Sequence, residues 1–461
     1  MTEVDVERSR TDPATPASPG RTRRVTGGLM LGVLVVLTGF TLLLGYANKA
    51  RCTGPEYDAA GRSTPGYQER INIDVCYSDI QFLWLGRDID KHVFPYVSGS
   101  ITPEGQLKGG TVEYPVLTGL LIWAGAIFAH NDGEYLFYSA LLMAPFGLLT
   151  GWMLGRLARW RALVWALGPP VVLYAFHNWD LPVVACAVAA VFAVHGWRTT
   201  RPLTQRAAVA AVLLGIGFAF KLYPGAFVLP LALYVLTMSR PGRLDWFGAA
   251  RVALLAAATV IVVNLPFAIV GYEGWRASFT FQELRKVDLT TNSIWYWGFR
   301  PESDEPWFQH LMDWLSPTLV LLSFAAAAGI GLWRWRRSGV YPWVGVSAAM
   351  LCGFLLLHKV HSPQYTLWLL PFFVMMAVPW RWVVGYLLAD LAMGIGIFRW
   401  FYTINVSKGS GIWEGFSAQA VALGVWGRAV LLVVLFVVFL TVPDRFTTAT
   451  AVAEPEPEPA G

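Results

Sequence analysis

Charge is what this sequence has least of: Asp, Glu, Lys and Arg make up 14% of its 461 residues, against roughly 25% in ordinary soluble domains. That shortage excludes a water-soluble globular fold. Histidine is also sparse, at seven residues, and no His/Asp/Glu spacing matches a ligand set, so neither a metal centre nor a cofactor is expected. Of only four cysteines, Cys186 and Cys352 sit inside apolar runs as inert packing residues. The net charge of +5 is spread over small basic clusters beside apolar stretches, which is not the footprint of a nucleic-acid partner. No internal repeat is evident, and no long central loop divides the chain.

What the chain has instead is apolar length. Hydrophobic residues reach 55%, with 22 Trp, 27 Phe and 17 Tyr. Many runs approach about 20 residues, the length that crosses a hydrocarbon core of about 30 Å. The expected fold is an all-α polytopic membrane protein, with one membrane-embedded domain over 27–441. Residues 1–26, rich in Thr, Pro, Ser and Arg, and 442–461, with a Glu-Pro repeat from Glu454, are expected to be disordered cytoplasmic ends.

Arg21, Arg23 and Arg24 precede the first apolar run and hold the N-terminus inside. Ala47-Asn48-Lys49-Ala50 has the look of a cleavage site, but the run before it exceeds the roughly 7–15 residues of a signal peptide and is taken as an uncleaved span. The loop over 49–133 is then extracytoplasmic. Residues 116–129 are expected to form an interfacial helix, because counting them as a span would put Arg156, Arg159 and Arg161 outside. After the span at 27–46, further spans are expected at about 134–155, 162–176, 179–197, 207–220, 223–238, 251–270, 316–333, 341–357, 364–379, 383–400 and 418–441. The basic links 156–161, 198–206, 240–251 and 334–337, with Arg381, then all face the cytoplasm. The links 177–180, 221–224, 271–315, 358–365 and 403–417 face outward, so nearly every polar motif collects on one side.

The first loop carries Cys76-Tyr77-Ser78-Asp79 at the edge of a short amphipathic helix expected over 80–85. In a partly desolvated cleft the Asp79 carboxylate can take a proton from an acceptor hydroxyl; as an N-cap it would only close the helix. Asp74 and Asp88 are weaker rivals. Asp180, in His177-Asn178-Trp179-Asp180, is either a cap at the outer interface or a site residue, since a central membrane charge costs about 2.5–3.5 kcal/mol. Lys221, which ends an apolar run, either holds a lipid phosphate or snorkels to the headgroups. His358, Lys359 and His361, before Ser362-Pro363-Gln364-Tyr365, form the densest cationic cluster outside. Such donors suit a leaving group on which charge develops. Cys52 and Cys76 are either a disulfide in an oxidising compartment or two free thiols. Asp390 and Arg399 receive no role. The aromatics of 271–315 suit a membrane interface or a sugar-stacking cover equally well.

The order of these motifs is a first span, Tyr77-Ser78-Asp79, Phe94-Pro95-Tyr96, Glu113-Tyr114-Pro115, Lys221-Leu222-Tyr223-Pro224 and Ser362-Pro363-Gln364-Tyr365. That order resembles the GT-C superfamily of polytopic glycosyltransferases. It is closest to family 87, the actinobacterial polyprenyl-phosphomannose-dependent alpha-mannosyltransferases. The likeness runs from about 27 to 441 and lies in the order of short motifs. It implies a GT-C-type bundle of about twelve transmembrane helices with a large first extracytoplasmic loop in the plasma membrane. It implies a polyprenyl-phosphate sugar donor, a glycolipid or glycan acceptor among the membrane lipids, and inversion with Asp79 as general base. Candidate substrate and phosphate contacts are Lys221, His358, Lys359, His361, Asp180, His177, Glu113, Tyr114, Gln364 and Tyr365. The family's Tyr-Pro-Pro segment is Tyr114-Pro115-Val116 here, one proline short. Its histidine-bearing Ser-Pro segment is replaced by Ser362-Pro363-Gln364-Tyr365, with His358 and His361 upstream. A polytopic transporter or lipid flippase is the alternative, and the one-sided polar motifs and missing repeats count against it.

Overall fold

The computed structural model describes residues 19–196, 201–407 and 415–446. Most of the expected N-terminal tail, Arg198, the centre of the 403–417 link and the Glu-Pro tail lie outside the described residues. Most of the described residues are helical, with a largely irregular stretch over 51–115. The only strands among the described residues are two antiparallel hairpins, Glu56–Tyr57 with Ser63–Thr64 and Ser100–Ile101 with Leu107–Lys108.

Among the described residues seven helices are long and apolar enough to cross a membrane: Gly27–Ala50, Asp132–Ala166, Leu203–Phe220, Trp246–Val270, Pro306–Ser338, Trp380–Asn405 and Phe416–Thr441. Their outer faces stay apolar. Leu254, Val262, Ile269 and Val270 on one of them are about 70% exposed, which suits lipid and not water.

The other five expected spans are too short or are broken. Leu181–Gly196, Tyr223–Met238 and Trp343–Leu357 are shorter apolar helices, and the helix Thr366–Met375 has all ten residues buried. Ten helical residues rise about 15 Å, half a hydrocarbon core. A helix apolar all round and enclosed by protein does not have its length set by lipid. The segment 162–176 splits into a 3-10 turn Arg159–Ala162 and the helices Leu163–Ala166 and Pro169–Tyr174. It breaks at Pro169 and Pro170, whose rings lack the amide donor and clash with the preceding turn.

The basic links meet at one end of the bundle. Arg161 donates to the carbonyls of Phe373 (3.4 Å) and Val378 (3.1 Å) and lies 3.4 Å from the centre of the Trp380 ring. Arg445 donates to Met376 O at 3.1 Å, Arg334 to the carbonyl of Leu440 and Arg206 to that of Val194. Except for Val378, which precedes the helix from Trp380, these carbonyls close helix C-termini, which lack intrahelical partners and carry the negative end of the helix dipole. The links 177–180, 221–224 and 358–365 lie one helix away, at the other end.

Two ties fix the first long loop. Cys52 and Cys76 are bonded to each other across 24 positions and pack with Tyr67 and Ile71. At the first turn of the helix Asp132–Ala158, the fully buried Asp132 accepts from Arg62 Nη1 (3.0 Å), Ser63 N (3.0 Å) and Ser63 Oγ (2.5 Å). Asp132→Ala is expected to cost about 3–5 kcal/mol, because it leaves the arginine unpaired; thermal unfolding in detergent measures this. Replacing Cys52 and Cys76 by serine removes about 3 kcal/mol in the loop-entropy account, and reductant should lower the wild-type midpoint similarly.

Within the expected 116–129 segment a helix forms over Val116–Ala126, packed against Asp132–Ala158 and Leu203–Phe220. Gly119 lets it touch Tyr96: a Cβ there would lie 2.1 Å from the Tyr96 hydroxyl oxygen. That hydroxyl donates to Tyr114 O at 2.8 Å, with Pro115 O at 3.1 Å. The Tyr114 backbone is thereby fixed against Tyr96.

Candidate active site

Three links converge on Asp79. Ser78 Oγ donates to Phe176 O at 2.7 Å and the Asp79 amide to His177 O at 2.8 Å, so the first loop is laced onto the 177–180 link. Asp79 opens the short helix Asp79–Phe82, whose N-cap is Ser78. Its carboxylate is turned to other partners. Oδ1 accepts from the Tyr77 hydroxyl at 2.8 Å and Oδ2 from Asn178 Nδ2 at 2.6 Å.

Asn178 is the junction of the site. Its amide nitrogen also donates to the Tyr114 hydroxyl at 2.7 Å, and its Oδ1 accepts from Lys221 Nζ at 3.0 Å. Lys221 is ion-paired with Asp180 Oδ1 at 2.8 Å, and Trp368 Nε1 donates to the same oxygen at 2.8 Å. Asp180 occupies an N-cap position without a side-chain cap bond, so its carboxylate serves the lysine instead. The Lys221 side chain is 8% exposed, with Nζ 5.2 Å from the Tyr114 ring centre and 5.8 Å from that of Trp368. It does not snorkel.

Burial raises the Asp79 carboxyl above its ordinary 3.8, and Glu113 adds to the rise; hydrogen bonds from Tyr77 and Asn178 and the charge of Lys221 oppose it. The outcome is a stronger base than an exposed aspartate. Burial holds the His177 imidazole well below 6.5, and Lys49 and Lys221 push the same way, so the ring is neutral. Burial, then the Asp79 charge, keep the Tyr77 hydroxyl far above 10 and therefore a donor.

The remaining candidates fall into two groups. Tyr365 stacks on Trp368 with ring centres 3.9 Å apart, and Trp368 on Tyr223 at 4.4 Å, which builds an aromatic wall beside Lys221. Gln364 is buried next to Tyr365 in sequence. Glu113 pairs with Arg87 at 3.1 Å, and its carbonyl accepts from Gln282 Nε2 at 2.7 Å, which joins the loop after the first helix to the helix Tyr272–Glu283. The cluster at 358–361 is not tricationic. Burial pushes His358 down to about 4 and His361 well below 6.5, which leaves Lys359 as its one charge at neutral pH, paired with Asp313 at 3.0 Å. These residues bond to Val360, Asp313 and Thr291 rather than to Asp79 or Asn178. The sequence shows their number and spacing but not the burial that discharges them.

Sequence reasoning misses Asn178, Tyr77 and Lys49 as site groups. Asn178 and Tyr77 are neutral and flank more conspicuous residues. Lys49 reads as the start of the first loop.

No family model matches the chain, and no solved structure matches it. It is 22% identical over 305 residues to GPI mannosyltransferase 1 of Eremothecium gossypii, covering 64% of this chain and 73% of that protein. The chain is similar to mannosyltransferases. GPI mannosyltransferase 1 of Trypanosoma brucei is 23% identical over 312 residues, with 63% of this chain and 67% of the relative covered. GPI alpha-1,4-mannosyltransferase I, catalytic subunit, of Danio rerio is 25% identical over 259 residues, covering 52% and 63%. These names and the apolar helices support a membrane mannosyltransferase, and they do not extend to family 87 in particular.

Proposed function

We propose that the chain is a membrane mannosyltransferase that moves mannose from a polyprenyl-phosphate donor to an extracytoplasmic glycolipid or glycan, with Asp79 as general base. The observation that carries this reading is the network in which one amide, Asn178, holds a half-buried carboxylate at 2.6 Å and a buried ammonium at 3.0 Å. Base and cation are what a glycosyl transfer to a hydroxyl needs. Asp79 takes the proton of the acceptor hydroxyl as its oxygen attacks the anomeric carbon. The bond from that carbon to the phosphate oxygen breaks, the phosphate leaves with the electron pair, and the configuration inverts.

Lys221 has three N–H bonds; Asp180 and Asn178 use two, and the third is suited to an oxygen of the departing phosphate. The stacked rings of Tyr365, Trp368 and Tyr223 suit the apolar face of a sugar or the first isoprene units. Their opposition to the basic end of the bundle supports an outward-facing site in the plasma membrane. The order of motifs in the sequence favours family 87 within this class.

Membranes carrying the chain, offered a panel of polyprenyl-phosphate sugars and nucleotide sugars, are expected to transfer mannose from the lipid-linked donor. Mannose transfer from a nucleotide sugar in membranes lacking polyprenyl phosphate would contradict the donor assignment. The pH profile supplies a second check. The carboxyl must be ionised to act, so kcat/KM is expected to fall with acid around an apparent pKa above the ordinary aspartate value of about 3.9. A profile level down to pH of about 4 would exclude a buried aspartate as the base.

A further inference from the structure

The hydrogens around Asn178 can be counted. Its Oδ1 accepts from the Lys221 ammonium at 3.0 Å and from the Trp179 amide at 2.6 Å. Two obligate donors on that side fix which end of the side chain is oxygen. Nδ2 therefore faces Asp79 Oδ2 at 2.6 Å and the Tyr114 hydroxyl at 2.7 Å, and its two hydrogens are both taken. An amide nitrogen only donates. Tyr114 must accept in this bond, and its own O–H has no acceptor among the described residues.

The hydroxyl is held in place from several sides. Tyr96 donates to the Tyr114 carbonyl at 2.8 Å, the Tyr114 ring meets Trp179 edge-on at 5.7 Å, and Lys221 Nζ lies 5.2 Å from the ring centre. Tyr114 and Asp79 are both half-buried, while Asn178 and Lys221 are buried. Burial, then the charges of Asp79 and Glu113, hold the phenol well above 10 and so protonated; the bond from Asn178 opposes them. Tyr114 and Lys221 are bound to opposite ends of one amide, and each has one hydrogen left for a ligand.

A sugar phosphodiester carries one negative charge. As its bond to the anomeric carbon breaks, the phosphate oxygen keeps the electron pair and the group becomes a dianion. A donor aimed at that oxygen binds more strongly as the charge arrives.

We propose that Tyr114 is a catalytic hydrogen-bond donor: with the third N–H of Lys221, its O–H bonds the phosphate oxygen that leaves the anomeric carbon. Tyr114 keeps its proton throughout. This inference rests on the phosphate-linked mannose donor of the reading above.

The test compares Tyr114→Phe with wild type, as purified protein in liposomes, for turnover of polyprenyl-phosphomannose and inhibition by the product, polyprenyl phosphate. Phenylalanine keeps the ring against Trp179 and removes only the oxygen. Loss of one donor to a developing oxyanion costs about 10²–10³-fold in kcat, and that fall is expected with KM for the donor little changed. The dianionic product carries the full charge, so its inhibition constant should rise about 10–100-fold. A folded Tyr114→Phe within a few-fold of wild type overturns the proposal. So does a slow variant that polyprenyl phosphate inhibits as well as it does wild type, because the hydroxyl then serves Asn178 or the acceptor. If Tyr114→Phe does not fold, 3-fluorotyrosine in place of Tyr114 keeps the shape and is a stronger donor. Inhibition by polyprenyl phosphate should then tighten, and unchanged or weaker inhibition overturns the proposal. Failure of the underlying reading looks different: wild type then transfers no mannose from polyprenyl-phosphomannose, and this inference falls with it.

Discussion

Asp79→Asn is expected to leave a folded protein whose mannosyl transfer is reduced by about 10²–10⁴-fold, the usual contribution of a positioned base. The substitution keeps the shape of the side chain. Its oxygen can still accept from Asn178, and the Tyr77 hydroxyl, now 2.8 Å from a position that can hold an amide nitrogen, can turn to accept instead of donate. Little stability should be lost, and the unfolding midpoint in detergent should stay near wild type. What disappears is the lone pair that receives the acceptor's proton. A folded Asp79→Asn enzyme within a few-fold of wild type would exclude the base role.

The second large effect is expected at Asn178. Replacing it by leucine removes a donor to the Asp79 carboxylate and an acceptor from the Lys221 ammonium. A hydrogen bond to a charged group is worth about 1.5–3 kcal/mol, so kcat/KM should fall about 10–100-fold at neutral pH. The sign of the accompanying pH shift is fixed. Asn178 lowers the Asp79 pKa, so its loss raises that pKa, and the acid limb moves upward. A drop in rate with an unmoved limb would show that Asn178 supports packing and not the base. Asn178→Asp should move the limb further, since it places a second negative charge beside the first.

The membrane class was legible because apolar run length responds to only one solvent, the hydrocarbon core. Span number was less so. Runs such as 366–375 are apolar because other helices enclose them, and composition cannot separate an enclosure of protein from one of lipid. Asp79 stood out because it is charged and lies beside the bundle. Asn178 did not, because an uncharged amide gains its meaning only from partners 99 and 43 positions away. At 358–361 the spacing shows that titratable groups are near one another, but burial decides whether they carry charge.

The account is tested most directly by purified protein in liposomes, given labelled polyprenyl-phosphomannose and a glycolipid acceptor, with wild type and Asp79→Asn side by side. The expected result is labelled acceptor with inverted anomeric configuration from wild type, and none above background from the folded variant. Equal product from both, or none from either with a panel of acceptors, would contradict it.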